Sequence, residues 1–165
     1  MYFKPTQREN SIHFSDLLCP SLEKLKGTLQ INYKVDFEWL INQYQFKHVD
    51  SLPITIVGGD GSLFEEYMKE NFSPQITHYS PNMERGLHHT KIGIHLYDDD
   101  SLRVIVSTAN LYQEDWDTRN QALWLSPRCP PMNDDSTNNG DSPTGFKNQL
   151  LKYLKAYDIE CLNRG

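Results

Sequence analysis

The chain has 165 residues, and 16 lysines and arginines against 22 aspartates and glutamates give a formal charge of −6. That length fits a single domain, residues 1–165, which buries roughly 70% of the surface its unfolded chain exposes and needs no staple. Hydrophobic residues at 38% and charged residues at 23% exclude a disordered chain. The acidic balance excludes nucleic-acid binding by diffuse positive charge, though not a local phosphate pocket.

In chain order, Ser11 to Leu18 reads as a short helical turn ended by Pro20. Thr28 to Tyr33 alternates like a strand. Asp36 is placed to cap a helix whose apolar positions are Phe37, Leu40, Ile41 and Tyr44. Pro53 to Val57 has the continuous apolar character of a buried strand. The turn GGDGS follows, then an amphipathic helix from Leu63 to Asn71. Residues 91–97 (KIGIHLY) and 102–108 (LRVIVST) read as a hairpin around the acidic turn 98–101, and 120–125 (NQALWL) as a further strand. Residues 133–142 form a polar loop. The last helix carries Phe146, Leu150, Tyr153, Leu154 and Tyr157 on one stripe. Strands alternating with helices predict an α/β fold, a mixed sheet sandwiched between helices.

Several motifs fail on inspection. Gly59-x-Gly61 lacks the third glycine of a dinucleotide fingerprint, because Phe64 stands there. A calcium loop from Asp135 has Thr137 at position three and Phe146 at position twelve. Cys19, Cys129 and Cys161 are far apart and show neither zinc-ribbon nor disulfide-framework spacing, so a reducing compartment is the default. No metal or cofactor is expected. The first residues include no apolar leader, and no 18-residue apolar run occurs, so no membrane span is expected.

His89, Thr90 and Lys91 open the KIGIHLY strand, where residues two apart share a face. His89 and Lys91 therefore project together, Gly93 leaves space above them, and Ile92, Ile94 and Leu96 face the core. With the turn centred on 98–101, His89 lies opposite Asn110 and Lys91 opposite Thr108. Gln121, at the start of the next strand, reaches the same end. Imidazole, with a reference pKa near 6.5, is an available nucleophile; lysine adds a positive charge and asparagine an amide donor. That set suits a phosphoryl substrate, since positioning and charge stabilisation carry most of phosphoryl transfer. Spacing alone leaves the bland alternatives open. A chance His-x-Lys occurs roughly once in three such chains, His88 is as good a candidate for the exposed histidine, His95 reads equally as structural, and Asn110 as a strand end.

Four ordered blocks, HHTK (88–91), VSTANLYQEDW (106–116), NQALWLSP (120–127) and SPTGFKNQLLKYLKAY (142–157), resemble the first half of the tyrosyl-DNA phosphodiesterase family in the phospholipase D superfamily. INYKVDFEWLINQY (31–44) fits the same family's first strand and helix. The general superfamily pattern H-x-K-x(4)-D is absent, since Leu96 holds the aspartate position; the tyrosyl-DNA branch has a later asparagine instead, matching Asn110. The resemblance implies a phospholipase D-like domain in which His89 is the nucleophile that forms a phosphohistidine, Lys91 and Asn110 bind the phosphate, and Gln121 supports the imidazoles. It implies that Tyr33 lies near the DNA backbone, and that Arg85 stands where the family often has an aromatic residue stacked on a base. The implied substrate is a DNA 3′ end, single- or double-stranded, carrying a phosphotyrosyl adduct left by topoisomerase I; the implied location is the nucleus. The family uses two His-Lys-Asn sets, one per half. This chain holds one, so either a second half in the same chain or a second copy is expected to supply the other. The competing readings are a dimeric phospholipase D-like nuclease and a non-catalytic module for DNA ends or protein partners.

Overall fold

The computed structural model describes residues 11–18, 24–81, 86–132 and 140–159. Arg85 and residues 133–139 of the polar loop lie outside them. A six-stranded mixed sheet is built from β1 (Leu25–Asn32), β2 (Ile54–Gly58), β3 (Ile76–Tyr79), β4 (Lys91–Tyr97), β5 (Leu102–Ser107) and β6 (Leu123–Leu125). Its order is β3-β2-β1-β4-β5-β6. The first three strands are parallel, and β4, β5 and β6 join by antiparallel pairing, starting with β4 against β1. The change of direction between β1 and β4 follows from the connections. Helices α2 (Phe37–Phe46) and α3 (Gly61–Glu70) are crossovers between parallel strands, whereas β4 and β5 need only a short turn.

Both long crossover helices begin where an aspartate accepts from the first turn. Asp36 accepts from Trp39 N at 2.9 Å, and Asp60 from Ser62 N at 2.9 Å. Helix α3 thus starts at Gly61, inside the expected GGDGS turn. The short α1 (Phe14–Leu17) matches the expected helical turn. Strand β6 is shorter than the expected 120–125, and edge strand β3 and helix α4 (Gln113–Asp117) lack a strong periodic signal because each is so short.

Helices α1, α2 and α3 cover one face, where Phe14, Leu18, Phe37, Leu40, Tyr44, Ile54 and Ile56 form the larger core cluster with Phe64 and Tyr67 packed against it. Helix α5 (Phe146–Lys155) covers the other, where Leu154 and Ile159 meet Ile31 and Val57, with Ile92, Ile94, Leu150, Tyr153 and Tyr157 alongside. The expected division of β4 holds, with Ile92 and Ile94 packed on the second cluster, but both faces are covered and the Lys91 face is the deeper. Lys91, Gly93, His95 and Tyr97 are the buried set, and Ile92, Ile94 and Leu96 are half-buried. Gly93 does not leave the expected open space: a Cβ there would stand 3.1 Å from Gln30 Oε1 and 3.5 Å from Ile105.

The larger core contains a chain of hydrogen-bonded polar groups that ends at His95, whose Nδ1 is buried with no partner among the described residues. Tyr44, fully buried, shares its hydroxyl with Thr28 Oγ1 at 2.7 Å and accepts from Gln30 Nε2 at 3.0 Å. Gln30 Nε2 also lies 3.3 Å from His95 Nε2. Burial raises the Tyr44 pKa to about 12 against the hydrogen bonds that lower it. Burial also drives His95 down to about 4, so this histidine is neutral.

The hairpin register differs from expectation by one residue. Ile92 pairs with Val106 and Leu96 with Leu102. Extending that register by one step sets Lys91 level with Ser107, and by three sets His89 level with Ala109. The cause is the turn. Asp100 adopts φ 61, Tyr97 N donates to Ser101 O, and Ser101 N donates to Asp99 Oδ1, so the connection closes within 98–100. A residue in the left-handed region is what a three-residue hairpin loop requires.

Candidate active site

The site lies at the end of the sheet where β1 and β5 finish and β4 begins. Asn32, the last residue of β1, pairs with Lys91, the first of β4. After β5 the chain crosses the end of β4 and bonds to the segment following β1: Leu111 N donates to Lys34 O at 3.0 Å, and Asp36 N to Leu111 O at 2.8 Å. Asn32 Nδ2 fastens the crossing by donating to Ala109 O at 3.3 Å. Asn110 is therefore carried toward His89 and Lys91 by a crossover rather than by cross-strand pairing. Its link to Lys91 runs through Ala109 and Asn32.

Tyr33, His89 and Lys91 touch. The Tyr33 and His89 rings are 4.8 Å apart at 41°, and Lys91 Nζ lies 5.9 Å from the centre of the Tyr33 ring. Lys91 Nζ stands 3.2 Å from His89 Nδ1 and 3.4 Å from Nε2. His89 is exposed while the lysine is 8% exposed. Burial lowers the Lys91 pKa, opposed by the negative charge of Asp115. The result is one accessible imidazole with an ammonium held beneath it. Below Lys91 a cavity of about 20 Å³, room for one water, is lined by Gln30, Asn32 and Ser107 among others.

Asn110 is fixed by a residue that spacing did not single out. Asp115 Oδ2 accepts from both Asn110 N, at 2.7 Å, and Asn110 Nδ2, at 2.9 Å. Asp115 is almost wholly buried, and Arg119 Nη1 donates to its other oxygen at 2.8 Å. Burial pushes the Asp115 pKa up, but the hydrogen bonds from Asn110, Tyr112 and Arg119 outweigh it and leave it below the ordinary value. Trp116 Nε1 closes the arrangement by donating to Asn110 O at 2.9 Å. Asn110 Oδ1 is buried without a hydrogen-bond partner among the described residues, and one amide hydrogen remains uncommitted.

Gln121 reaches the same end but is hydrogen-bonded to Thr108, two residues before Asn110, rather than to His89. Thr108 is in turn tied to the start of β6, its N donating to Ala122 O at 3.0 Å. His88 is half-buried and turned away from the site, bonded through Nε2 to the Tyr157 hydroxyl at 2.7 Å. The choice between the adjacent histidines is thereby made: His89 is the one open to solvent.

A family model described as tyrosyl-DNA phosphodiesterase matches residues 2–164. Over 163 residues the chain is 40% identical to tyrosyl-DNA phosphodiesterase 1 of Drosophila melanogaster, covering 96% of this chain and 28% of that protein. It is 32% identical over 127 residues to tyrosyl-DNA phosphodiesterase 1 of Arabidopsis thaliana, covering 74% of this chain and 20% of the relative. A crystal structure of a yeast tyrosyl-DNA phosphodiesterase variant superposes with a TM-score of 0.70 at 21% identity, covering 96% of this chain and 36% of that one. The chain thus spans about a third or less of the length of these relatives. With the fold phospholipase D-like and the match running nearly end to end, the chain belongs to the tyrosyl-DNA phosphodiesterase family.

Proposed function

We propose that this chain is the nucleophile-bearing half of a DNA-repair phosphodiesterase that hydrolyses 3′-phosphotyrosyl bonds. The observation that carries the reading is the meeting of Tyr33, His89 and Lys91 at one sheet end, with Asn110 carried across to it on its own carboxylate mount. A phosphodiester entering here meets an exposed imidazole, a buried ammonium and an amide hydrogen. One His89 ring nitrogen attacks phosphorus, a P–N bond forms, and the P–O bond to the tyrosyl oxygen breaks. Lys91 leaves its contact with the ring to hold a non-bridging oxygen, and the free amide hydrogen of Asn110 holds another. The leaving oxygen takes a proton and water later cleaves the P–N bond. Both steps need a second acid–base group, which a second His-Lys-Asn set supplies. Gln121 steadies the 107–110 crossing through Thr108, and Tyr33 lines the approach to the imidazole.

The proposed substrate class is a DNA 3′ end bearing a phosphotyrosyl adduct, and the proposed location, inferred from that substrate alone, is the nucleus. Turnover of a 3′-phosphotyrosyl oligonucleotide by the full-length protein tests the reading. His89→Ala is expected to abolish it, and equal rates for the two proteins would refute it. The 165-residue chain alone is expected to show negligible turnover; multiple turnover by a chain that sediments as a monomer would overturn the need for a second set.

A further inference from the structure

The residues on either side of His89 are both held from the opposite face of the sheet, Thr90 by helix α5 and His88 by the turn that follows it. His88 Nε2 is 2.7 Å from the Tyr157 hydroxyl. The hydroxyl of Tyr157 is hydrogen-bonded to that of Tyr153, and Tyr153 to Thr90 Oγ1. The two tyrosine rings pack edge to face at 5.3 Å, and the His88 and Tyr157 rings at 5.5 Å. His88 also rests over Gly58, where a Cβ would stand 3.2 Å from its Cε1. Residues 86–90 precede β4 and lie outside the strand, so no ladder hydrogen bond fixes them.

We infer that Tyr153 and Tyr157 are positioning residues that set the direction of the His89 side chain by clamping Thr90 to α5 and His88 to the turn that ends it. The proton inventory allows every gap in this chain to be filled. The chain His88–Tyr157–Tyr153–Thr90 has three gaps and three hydroxyl protons. If Thr90 donates to Tyr153, Tyr153 to Tyr157 and Tyr157 to His88 Nε2, each gap is filled once and His88 is the Nδ1–H tautomer. That direction requires a neutral His88 and protonated tyrosines. Burial, and then the charge of Lys91, hold the His88 pKa below its ordinary value; burial and the bond to Tyr153 hold that of Tyr157 above its own. Between these two held neighbours, His89 projects the other way and meets Tyr33 and Lys91.

This inference rests on His89 being the group that meets phosphorus. Tyr153→Phe, Tyr157→Phe and Thr90→Val are made in the full-length protein and assayed on a 3′-phosphotyrosyl oligonucleotide. Each is expected to lower kcat about tenfold with KM unchanged, because a misdirected nucleophile weakens attack and not binding. The double tyrosine variant is expected to lose no more than the worse single one, since each break severs one chain. His88→Gln, which presents an acceptor near Nε2, is expected to retain kcat within about twofold, whereas His88→Ala falls with the tyrosine variants. Thr90→Val is the smallest change and guards against loss of folding in the others. Wild-type kcat in all three hydroxyl-deleted variants, with His89→Ala inactive, would overturn the clamp alone. Wild-type kcat in His89→Ala would overturn the reading beneath it.

Discussion

Asp115 shows how much of this site depends on a residue that touches no expected substrate group. One carboxylate oxygen takes both donors of Asn110 and the other takes Arg119, so the carboxylate is almost fully committed. Asp115→Ala removes all of these and leaves two buried donors without an acceptor. Loss of charged hydrogen bonds predicts a destabilisation of about 3 kcal/mol, measured by urea denaturation. Tyr44→Phe makes a comparable test inside the core, with no site residue involved. It strands Thr28 and Gln30, for an expected cost of about 1–3 kcal/mol by the same measurement. At this scale the sequence was only partly legible. His89, Lys91 and Asn110 stand out because their chemistry is unusual for a strand and because family blocks surround them. Asp115 does not, since an acidic residue in a run such as QEDWD reads as solvated until its burial is known. Tyr153 and Tyr157 register in the pattern as apolar surface, and nothing in a helical period shows where their hydroxyls point.

At the scale of elements, the termini of β1, β2 and β4 are packed so closely that backbone dictates residue type. Gly58 closes β2 with φ 107, and a Cβ there would sit 1.9 Å from Asn32 O. Gly58→Ala therefore forces apart the ends of two core strands beside the site, in addition to its strain at positive φ. Thermal denaturation is expected to show a loss of several kcal/mol, well above the roughly 1 kcal/mol expected on removing the α2 cap with Asp36→Ala. Helices α2 and α5 and strands β2, β4 and β5 were legible because each runs through several turns or alternations of a clear pattern. The β4–β5 register was not, because a single φ at Asp100 decides it and aspartates 98, 99 and 100 are chemically alike. Which face of β4 lies deeper was not legible for a related reason. Period two shows that Lys91, Gly93 and His95 share a side, but tertiary cover determines which side is deeper, and α1 and α2 lie over theirs.

For the molecule as a whole, stability is expected to depend on pH through histidines that fold in their neutral form. Burial depresses the pKa of His95 to about 4, and those of His78 and His88 below the ordinary value. The unfolded chain takes up these protons as pH falls through about 6.5, while the folded chain resists. Stability is therefore undiminished above that pH and declines from there toward pH 4. For His95 alone the difference amounts to about 3 kcal/mol across the window. Urea denaturation at pH 7 and pH 4.5 measures the decline. His95→Gln, which cannot titrate, should flatten it, and an unchanged slope in that variant would show that His95 is not its source.

The crossing of the chain over the end of β4 also determines when the site can exist during folding. The β4–β5 hairpin is local in sequence and closes on the microsecond scale of such turns. Strand β1 precedes β4 by the whole of β2, α2, α3 and β3, so its pairing bears a larger loop-closure cost and comes later. Lys91 and His89 are thus presented on an early hairpin, but Tyr33 and the anchor of Asn110 arrive only with β1. A partly folded chain carries every reactive group and no assembled centre. The contact between the Tyr33 and His89 rings therefore serves as a marker of the last step.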